Sequence, residues 1–382
     1  MQHTDVLIVG AGMAGASLAY YLAPHARVLL LEREAQAGYH STGRSAAMYV
    51  ETYGNATVRA ITTASKAFYL QPPAGFAAHP LLTPRGALLV GGAAQQEQLR
   101  QAWRSMRALA PSIEWWEQAA ILQRVPVLRP QAAAYAVYEP HAMDMDVHAI
   151  HHGFLRGAKA AGARLLCDAG VTRVAREGGV WCVQSAAGEF SAPLLVNAAG
   201  AWCDELARLG RVAPIGLLPK RRTAFTFDAP AGLDCAGWPL VIDAQEQFYF
   251  KPDAGLLLGS PANEDAVPAQ DVQPEELDVA LGVHRLNEVT TLDIRRPQRP
   301  WAGLRSFVAD GGLVGGFEPL APGFFWVAAQ GGYGVQTAPA MGEACAALAR
   351  GLPLPGHIAR EGVTEHGLGP GRLARANGLA AA

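Results

Sequence analysis

Apolar residues fall into distinct textures along this chain. Short runs rich in Val and Leu, with no polar alternation, read as buried strands: Val6 to Val9, Val28 to Leu31, Leu194 to Val196, and Phe324 to Ala328. Stretches with helical spacing lie at 57–70, 94–110, 147–160 and 274–291. Pro72-Pro73 end the first of these, because proline lacks the N–H that a helix needs. Segments that alternate or stay briefly apolar between turn residues read as strands of other sheets: Leu88 to Val90, Val171 to Val174, Val180 to Val183, Arg222 to Phe227, Phe248 to Lys251 and Leu256 to Gly259. Trp115-Trp116 and Val125 to Pro130 suggest short irregular elements. Tyr39 to Ala47 is expected to open a helix capped by Ser41 or Thr42. Thr337 is a cap for a last long helix, with Pro339 in its first turn and an end near Arg350. The Gly-, Ala- and Arg-rich tail is expected to fray; Gly367, Gly369 and Gly371 follow no strand and make no nucleotide motif.

The first two buried runs are joined by Gly10-Ala11-Gly12-Met13-Ala14-Gly15 and a helical stretch, and the second run ends on Glu32. Strand, G-x-G-x-x-G, helix, strand and acidic residue form the dinucleotide-binding fingerprint in its proper context. Gly10 makes the tight turn, Gly12 lets the backbone approach a pyrophosphate, and Gly15 lets helix pack on strand. The helix N-terminus offers N–H groups and a positive dipole end to phosphate, and Glu32 is placed to accept from a ribose hydroxyl. The third run closes on Asn197-Ala198-Ala199-Gly200, small residues at the carboxyl end of a strand, where a doubly wound sheet binds its ligands.

These elements predict an α/β protein with an α+β second part: a Rossmann-type domain over 1–78, 146–215 and 303–382, and an inserted antiparallel-sheet substrate domain over 79–145 and 216–302. The 382 residues suffice for two domains. A formal net charge of −2 provides no basic footprint for nucleic acid. Cys167, Cys182, Cys203, Cys235 and Cys345 lie far apart, which argues for a reducing compartment and against a structural metal. The first strand starts at residue 5 or 6, so no signal peptide is expected, and no apolar run has the length of a membrane span. A cytoplasmic location follows as the expectation, with peripheral contact at the inner face of a membrane left open.

Only one nucleotide fingerprint is present. A flavoprotein that also bound NAD would usually show two, so the pattern suits a tightly held FAD whose electrons leave by another route. A second glycine-rich turn, Gly331 to Gly334, is expected to open a helix whose positive end steadies charge on a reduced flavin ring. Arg222 and Arg305, in the strand-rich insert and at its return, carry the planar fork that grips carboxylates; a structural ion pair is the commoner fate of any single arginine.

The chain resembles flavin-dependent amino-acid oxidoreductases of the D-amino-acid oxidase and glycine oxidase superfamily, and within it the bacterial D-arginine dehydrogenases. The resemblance spans nearly the whole length. It is carried by LIVGAGMAGAS, LEREAQAGYHSTGRSAA, HPLLTPR, LVNAAGAWCD, PKRR, FYFKPDAGLLLGSPAN, WAGLRSFVADG and GFFWVAAQGGYGVQT. It implies that Arg222, Tyr249 and Arg305 hold a substrate carboxylate, that the carbonyl of Gly332 receives the amine, and that Tyr53 closes over the side chain. It also implies that Ala14, Glu32, Arg33, the segment Ser41 to Met48 (Thr42, Arg44, Ser45 and Ala46 included), Val171, and Gly331 to Gln336 with Tyr333, Gly334 and Val335 hold FAD. Some relatives bind flavin covalently through a cysteine just upstream of the last glycine-rich turn; none lies between Cys235 and Cys345, so noncovalent FAD is expected.

The chain departs from the D-arginine pattern at two positions. Ala87 stands where that enzyme has a glutamate, and Met48 where it has a histidine. Losing an ion pair in a partly desolvated pocket costs about 2–5 kcal/mol, tens- to thousands-fold in preference. The expected reaction is therefore oxidative deamination of D-amino acids with neutral or apolar side chains, by hydride transfer to flavin. A quinone or other non-NAD carrier is the expected acceptor, although oxidase activity is not separated from dehydrogenase by any motif. The rivals are oxidation of a 2-hydroxy acid or of a secondary or cyclic amino acid, and a non-catalytic FAD-binding protein.

Overall fold

The computed structural model describes residues 1–376. Its first sheet has six strands in the order Arg164–Leu166, Val28–Leu31, Val6–Val9, Leu194–Asn197, Phe324–Ala328 and Val314–Phe317. All neighbours run parallel except the last pair. Val6–Val9 and Val28–Leu31 are buried along their whole length and Leu194–Asn197 from Leu195 onward, which explains their lack of alternation. Helices Met13–Leu22, Val147–Ala160 and Ala338–Ala349 cover one face. Close helix approach needs small residues: a Cβ on Gly342 would lie 2.9 Å from Ser17. On the other face, Val174, Trp181, Val183 and Phe190 of a four-stranded sheet pack with Leu7, Leu29 and Leu195.

The second large sheet has nine strands. Its path runs Asp265–Ala266, Leu218–Phe227, Leu256–Ser260, Tyr249–Asp253, Leu240–Asp243, Ala87–Gly91, Tyr135–Glu139 and Glu114–Glu117, and Arg299–Phe307 also pairs with Leu218–Phe227. It is antiparallel except where Leu240–Asp243 lies parallel to Ala87–Gly91. Helix Glu276–Val289 packs on the outer face through Leu286 and Gly282, and the inner face lines a cavity.

The helices expected at 57–70, 147–160 and 274–291 are Ala56–Leu70, Val147–Ala160 and Glu276–Val289. Asn55 and Asp146 cap the first two, accepting from Val58 N–H at 3.0 Å and Ala149 N–H at 2.8 Å. Other expectations are corrected. Tyr39 to Arg44 forms successive turns, followed by an irregular stretch to Ala47 and the short strand Met48–Tyr49. The hydroxyls meant to cap a helix there are used over distance: Ser41 donates to Leu304 O and Thr42 accepts from Met13 N–H. Gly331 to Gly334 do not open a helix; turns run through Thr337 and the helix starts at Ala338. Thr337 is not extended (φ −99°, ψ −7°), so its hydroxyl donates back to Tyr333 O instead of capping forward. Trp115-Trp116 belong to a regular edge strand. In the tail expected to fray, Glu365–Leu368 and Gly371–Ala376 are short helices; the remainder lies outside the described residues.

Candidate functional site

The glycine turn is locked from below. Gly10 sits at φ +102°, and a Cβ there would lie 2.3 Å from Ala198 O. A Cβ on Gly15 would lie 2.0 Å from Gly10 O, so Gly15 serves helix–strand packing and does not line the cavity. Gly12 is the N-cap of Met13–Leu22 and brings no side chain, and Gly12, Met13 and Ala14 line the cavity. Glu32 is buried; its Oε2 accepts from Ala11 N–H at 2.9 Å and its Oε1 from Glu34 N–H at 3.1 Å. Each oxygen keeps a second acceptor site. His151, which the sequence did not single out, buttresses this turn through Nε2 and Ala11 O at 2.8 Å. Burial pushes its pKa down, so the ring is neutral and its Nε2–H donates.

Arg33, Ser41, Thr42, Arg44, Ser45, Ala46, Met48, Val171 and Gly200 all line the same cavity. Arg33 stacks over Trp202 at 4.7 Å. Arg44 donates to Val272 O at 2.8 Å and pairs with Asp271, in the loop before helix Glu276–Val289, and also donates to Ala302 O at 3.3 Å, tying the turn at 39–47 to the nine-stranded sheet. Gly331, Gly332, Tyr333, Gly334 and Val335 line the cavity from the far strand end. Gln336 does not: it is buried, accepting from Val50 N–H at 3.2 Å and donating to Thr62 Oγ1 at 2.9 Å.

Across the cavity, Lys220, Arg222 and Ala224 alternate inward on one strand, and Arg305 comes from the partner strand, in register with Lys220. Arg222 donates from Nε to Asn263 O at 2.7 Å and from Nη2 to Glu264 Oε1 at 2.8 Å. Lys220 reaches the same carboxylate at 3.0 Å. Burial and the nearby positive charge of Arg305 push the pKa of Arg222 down. Partial burial works against the charge of Glu264, but Lys220, Arg222 and Arg305 outweigh it and hold its carboxyl below the usual value. Among the described residues the Arg305 side chain makes no hydrogen bond or ion pair to protein. Its guanidinium lies against the backbone of Gly332, where a Cβ would sit 3.3 Å from Cζ. Tyr53, Tyr249 and Tyr333 surround these cations: the Tyr53 and Tyr333 rings are 5.1 Å apart, and Tyr249 is 6.0 Å from Arg222 Cζ. Burial first, then Tyr53, push the Tyr333 phenol up to about 12. None of the three phenols has a hydrogen-bond partner among the described residues. Unspent donors beside two neighbouring cations are groups that can receive an anion.

Beyond Arg222 and Arg305, the inner face carries cross-strand rows. Val137, Leu89, Ile242 and Tyr249 make one, and Glu139, Ala87 and Leu240 the next. Met48 and Val50 close over them. Glu139 lies directly opposite Ala87 and accepts from Thr52 Oγ1 at 2.5 Å. Sequence reasoning missed Lys220, Glu264 and Glu139. The i, i+2 spacing of Lys220 and Arg222 was a readable signal; the two glutamates had none, since their partners come from distant strands.

The cavity measures about 770 Å³, within the range of cofactor pockets. It joins the carboxyl ends of Val6–Val9, Leu194–Asn197 and Phe324–Ala328 to the inner face of the nine-stranded sheet. The residues fit a dinucleotide: a side-chain-free helix start, an acid with free acceptor sites, and no Cβ at Gly10 or Gly12.

The family model of FAD dependent oxidoreductases (DAO) matches residues 5–348. The glycine oxidase of Geobacillus kaustophilus is 22% identical over 375 residues, covering 95% of this chain and 97% of that protein. A crystal structure of glycine oxidase from that organism superposes with a TM-score of 0.81 at 21% identity, over 96% of this chain and 100% of the other. L-proline dehydrogenase from P. horikoshii gives 0.79 at 19% identity, over 98% and 99%. The Xenopus laevis FAD-dependent oxidoreductase domain-containing protein 1 is 28% identical over 176 residues, 41% of this chain and 34% of that protein. The chain thus spans about a third of that relative's length.

Proposed function

The chain belongs to the FAD-dependent oxidoreductase (DAO) family, and from that footing we propose that it oxidises D-amino acids to imino acids, which water converts to 2-oxo acids and ammonia. Arg222, Arg305 and Tyr249 grip the substrate carboxylate. The Gly332 carbonyl accepts from the amine, and Tyr53 covers the bound substrate. The observation that carries this reading is Arg305: a guanidinium beside a second one, facing the cavity with no protein partner among the described residues. Held at both its carboxylate and its amine, the substrate presents one face of Cα to the cofactor, which lowers the entropic part of the barrier. FAD, when bound, supplies the acceptor for the two electrons that leave Cα. The residues that would hold it are Gly10, Gly12, Ala14, Glu32, Arg33, the turn 41–48, Val171, Gly200 and 331–335, without a covalent link. Within this reading, residues 1–78, 146–215 and 303–382 form the FAD-binding part, and 79–145 with 216–302 the substrate part, the strand Arg299–Phe307 crossing between them.

The side-chain pocket favours neutral or apolar substituents. Met48, Val50, Ala87, Leu89, Leu240 and Ile242 supply its walls; the one acid in that row, Glu139, already accepts from Thr52, and the nearby Lys251 is already paired with Asp144 at 2.6 Å. Electrons leave to a quinone or similar carrier.

Anaerobic mixing of the holoenzyme with paired D- and L-amino acids tests the proposal. D-Met, D-Leu and D-Phe bleach the flavin and release ammonia. Bleaching by L-isomers alone, or by none, refutes it, and D-Arg exceeding all three in kcat/KM refutes the side-chain assignment. A secondary or cyclic amino acid is the second reading, favoured by the likeness in fold to L-proline dehydrogenase; such a substrate bleaches the flavin without releasing free ammonia.

A further inference from the structure

The segment 50–54 runs along the cavity and carries Tyr53. Its ties to the nucleotide-binding side are several. Val50 N–H donates to Gln336, Glu51 pairs with Lys66 at 2.5 Å, and Arg59 donates to Gly54 O. One side-chain tie reaches the nine-stranded sheet: Thr52 Oγ1 donates to Glu139 Oε2 at 2.5 Å. Glu139 ends the strand Tyr135–Glu139, on the cavity face, and is only 4% exposed. No cation pairs with it among the described residues. Its neighbours across the sheet are Ala87 and Leu240, so an apolar residue at 139 would extend that wall at lower cost than a buried carboxylate. Stability therefore does not account for an acid here. The bond to Thr52 does, because it fixes the residue that precedes Tyr53.

We propose that Glu139 is a positioning residue which, through Thr52, latches the segment 50–54 to the substrate sheet and so stands Tyr53 over the Arg222–Arg305 clamp. Glu139 touches neither substrate nor cofactor in this account. The Tyr53 ring meets Tyr333 edge-on at 5.1 Å, so a fixed Thr52 gives the phenol one resting place beside the clamp. The inference rests on the proposed reaction only in taking Tyr53 as a substrate contact.

Glu139→Leu and Thr52→Val each remove the bond. Each raises KM for D-Met by about tenfold, on the order of one buried hydrogen bond, with kcat changed by less than about twofold. Glu139→Gln and Thr52→Ser, which keep an acceptor and a hydroxyl, recover most of that loss. In a Tyr53→Ala background Glu139→Leu adds nothing further to KM, because the latch acts through Tyr53. Amide hydrogen exchange at 50–54 quickens in both latch variants and not in helix Ala56–Leu70. A KM effect of equal size with and without Tyr53, or lost thermal stability with KM and exchange unchanged, overturns the proposal. If Glu139→Leu does not fold, Thr52→Val cuts the same bond. If no D-amino acid is oxidised, the reaction assignment fails, while hydrogen exchange still decides the latch.

Discussion

Arg221 and Arg222 are neighbours on one strand, and they point to opposite sides of the nine-stranded sheet. Their side chains are almost equally covered, at 9% and 10% exposed. Arg221 faces the layer of helix Glu276–Val289, where Asp265, Glu275 and Asp278 surround it, Asp278 at 2.9 Å. Burial works against its charge, but Asp278 and Glu275 outweigh it and push the pKa up. Arg222 faces the cavity with one carboxylate, one carbonyl and a second guanidinium nearby, and its pKa moves down. Burial alone does not separate the two arginines. The number of spent donors does: the outer face is saturated, and the inner face keeps N–H and O–H groups in reserve. A saturated ion network has no donors left for a ligand, whereas an unsaturated one keeps them available.

The sharpest way to break this contrast is Arg305→Met. It removes the guanidinium that has no protein partner, and kcat/KM for D-Met falls by about 10²–10⁴-fold, the loss expected when one half of a desolvated charge pair goes. Thermal stability changes little, because the lost guanidinium makes no hydrogen bond or ion pair to protein among the described residues. A loss of less than tenfold would place the carboxylate elsewhere. Arg221→Met shows the mirror image. It strips Asp278 of its cation and costs on the order of 3 kcal/mol of stability, seen as a fall in Tm, while kcat/KM stays within about threefold. If that variant lost activity with Tm unchanged, the two faces would not be distinct. Glu264→Gln gives the smallest effect. It keeps an acceptor for Arg222 but removes the charge, leaving Lys220, Arg222 and Arg305 without a local carboxylate. KM falls by about two- to fivefold at low salt, and the difference shrinks as salt screens this partly exposed group. A rise in KM would mean that Glu264 orients the clamp.

The nucleotide-binding end was legible because its message is local. Gly10, Gly12, Gly15 and Glu32 act within one strand–helix–strand unit, and the glycine spacing alone indicates where backbone must approach backbone. The buried runs were legible for the same reason. The substrate end was legible only as two arginines and a resemblance. Alternation along PKRR separates Arg221 from Arg222, but which one faces the cavity depends on pairing with Arg299–Phe307 far along the chain. Glu264 and Glu139 were invisible because their partners, Lys220 with Arg222 and Thr52, arrive from other strands and loops. The failed helix at 39–47 has the same cause. Its hydroxyls are good caps locally, yet Leu304 O and Met13 N–H outbid the local backbone for them. Local propensity lost where two parts of the fold meet, and that is where the cavity lies.

The central claim is that the reserve of donors at Arg305 exists for a substrate carboxylate. The direct measurement is the ratio of kcat/KM for D-methionine to that for D-methioninamide, which lacks the carboxylate, in the native enzyme and in Arg305→Met. The account predicts a native ratio above about 10² that collapses to within tenfold of unity in the variant. An unchanged ratio, with both substrates slowed alike, would contradict it.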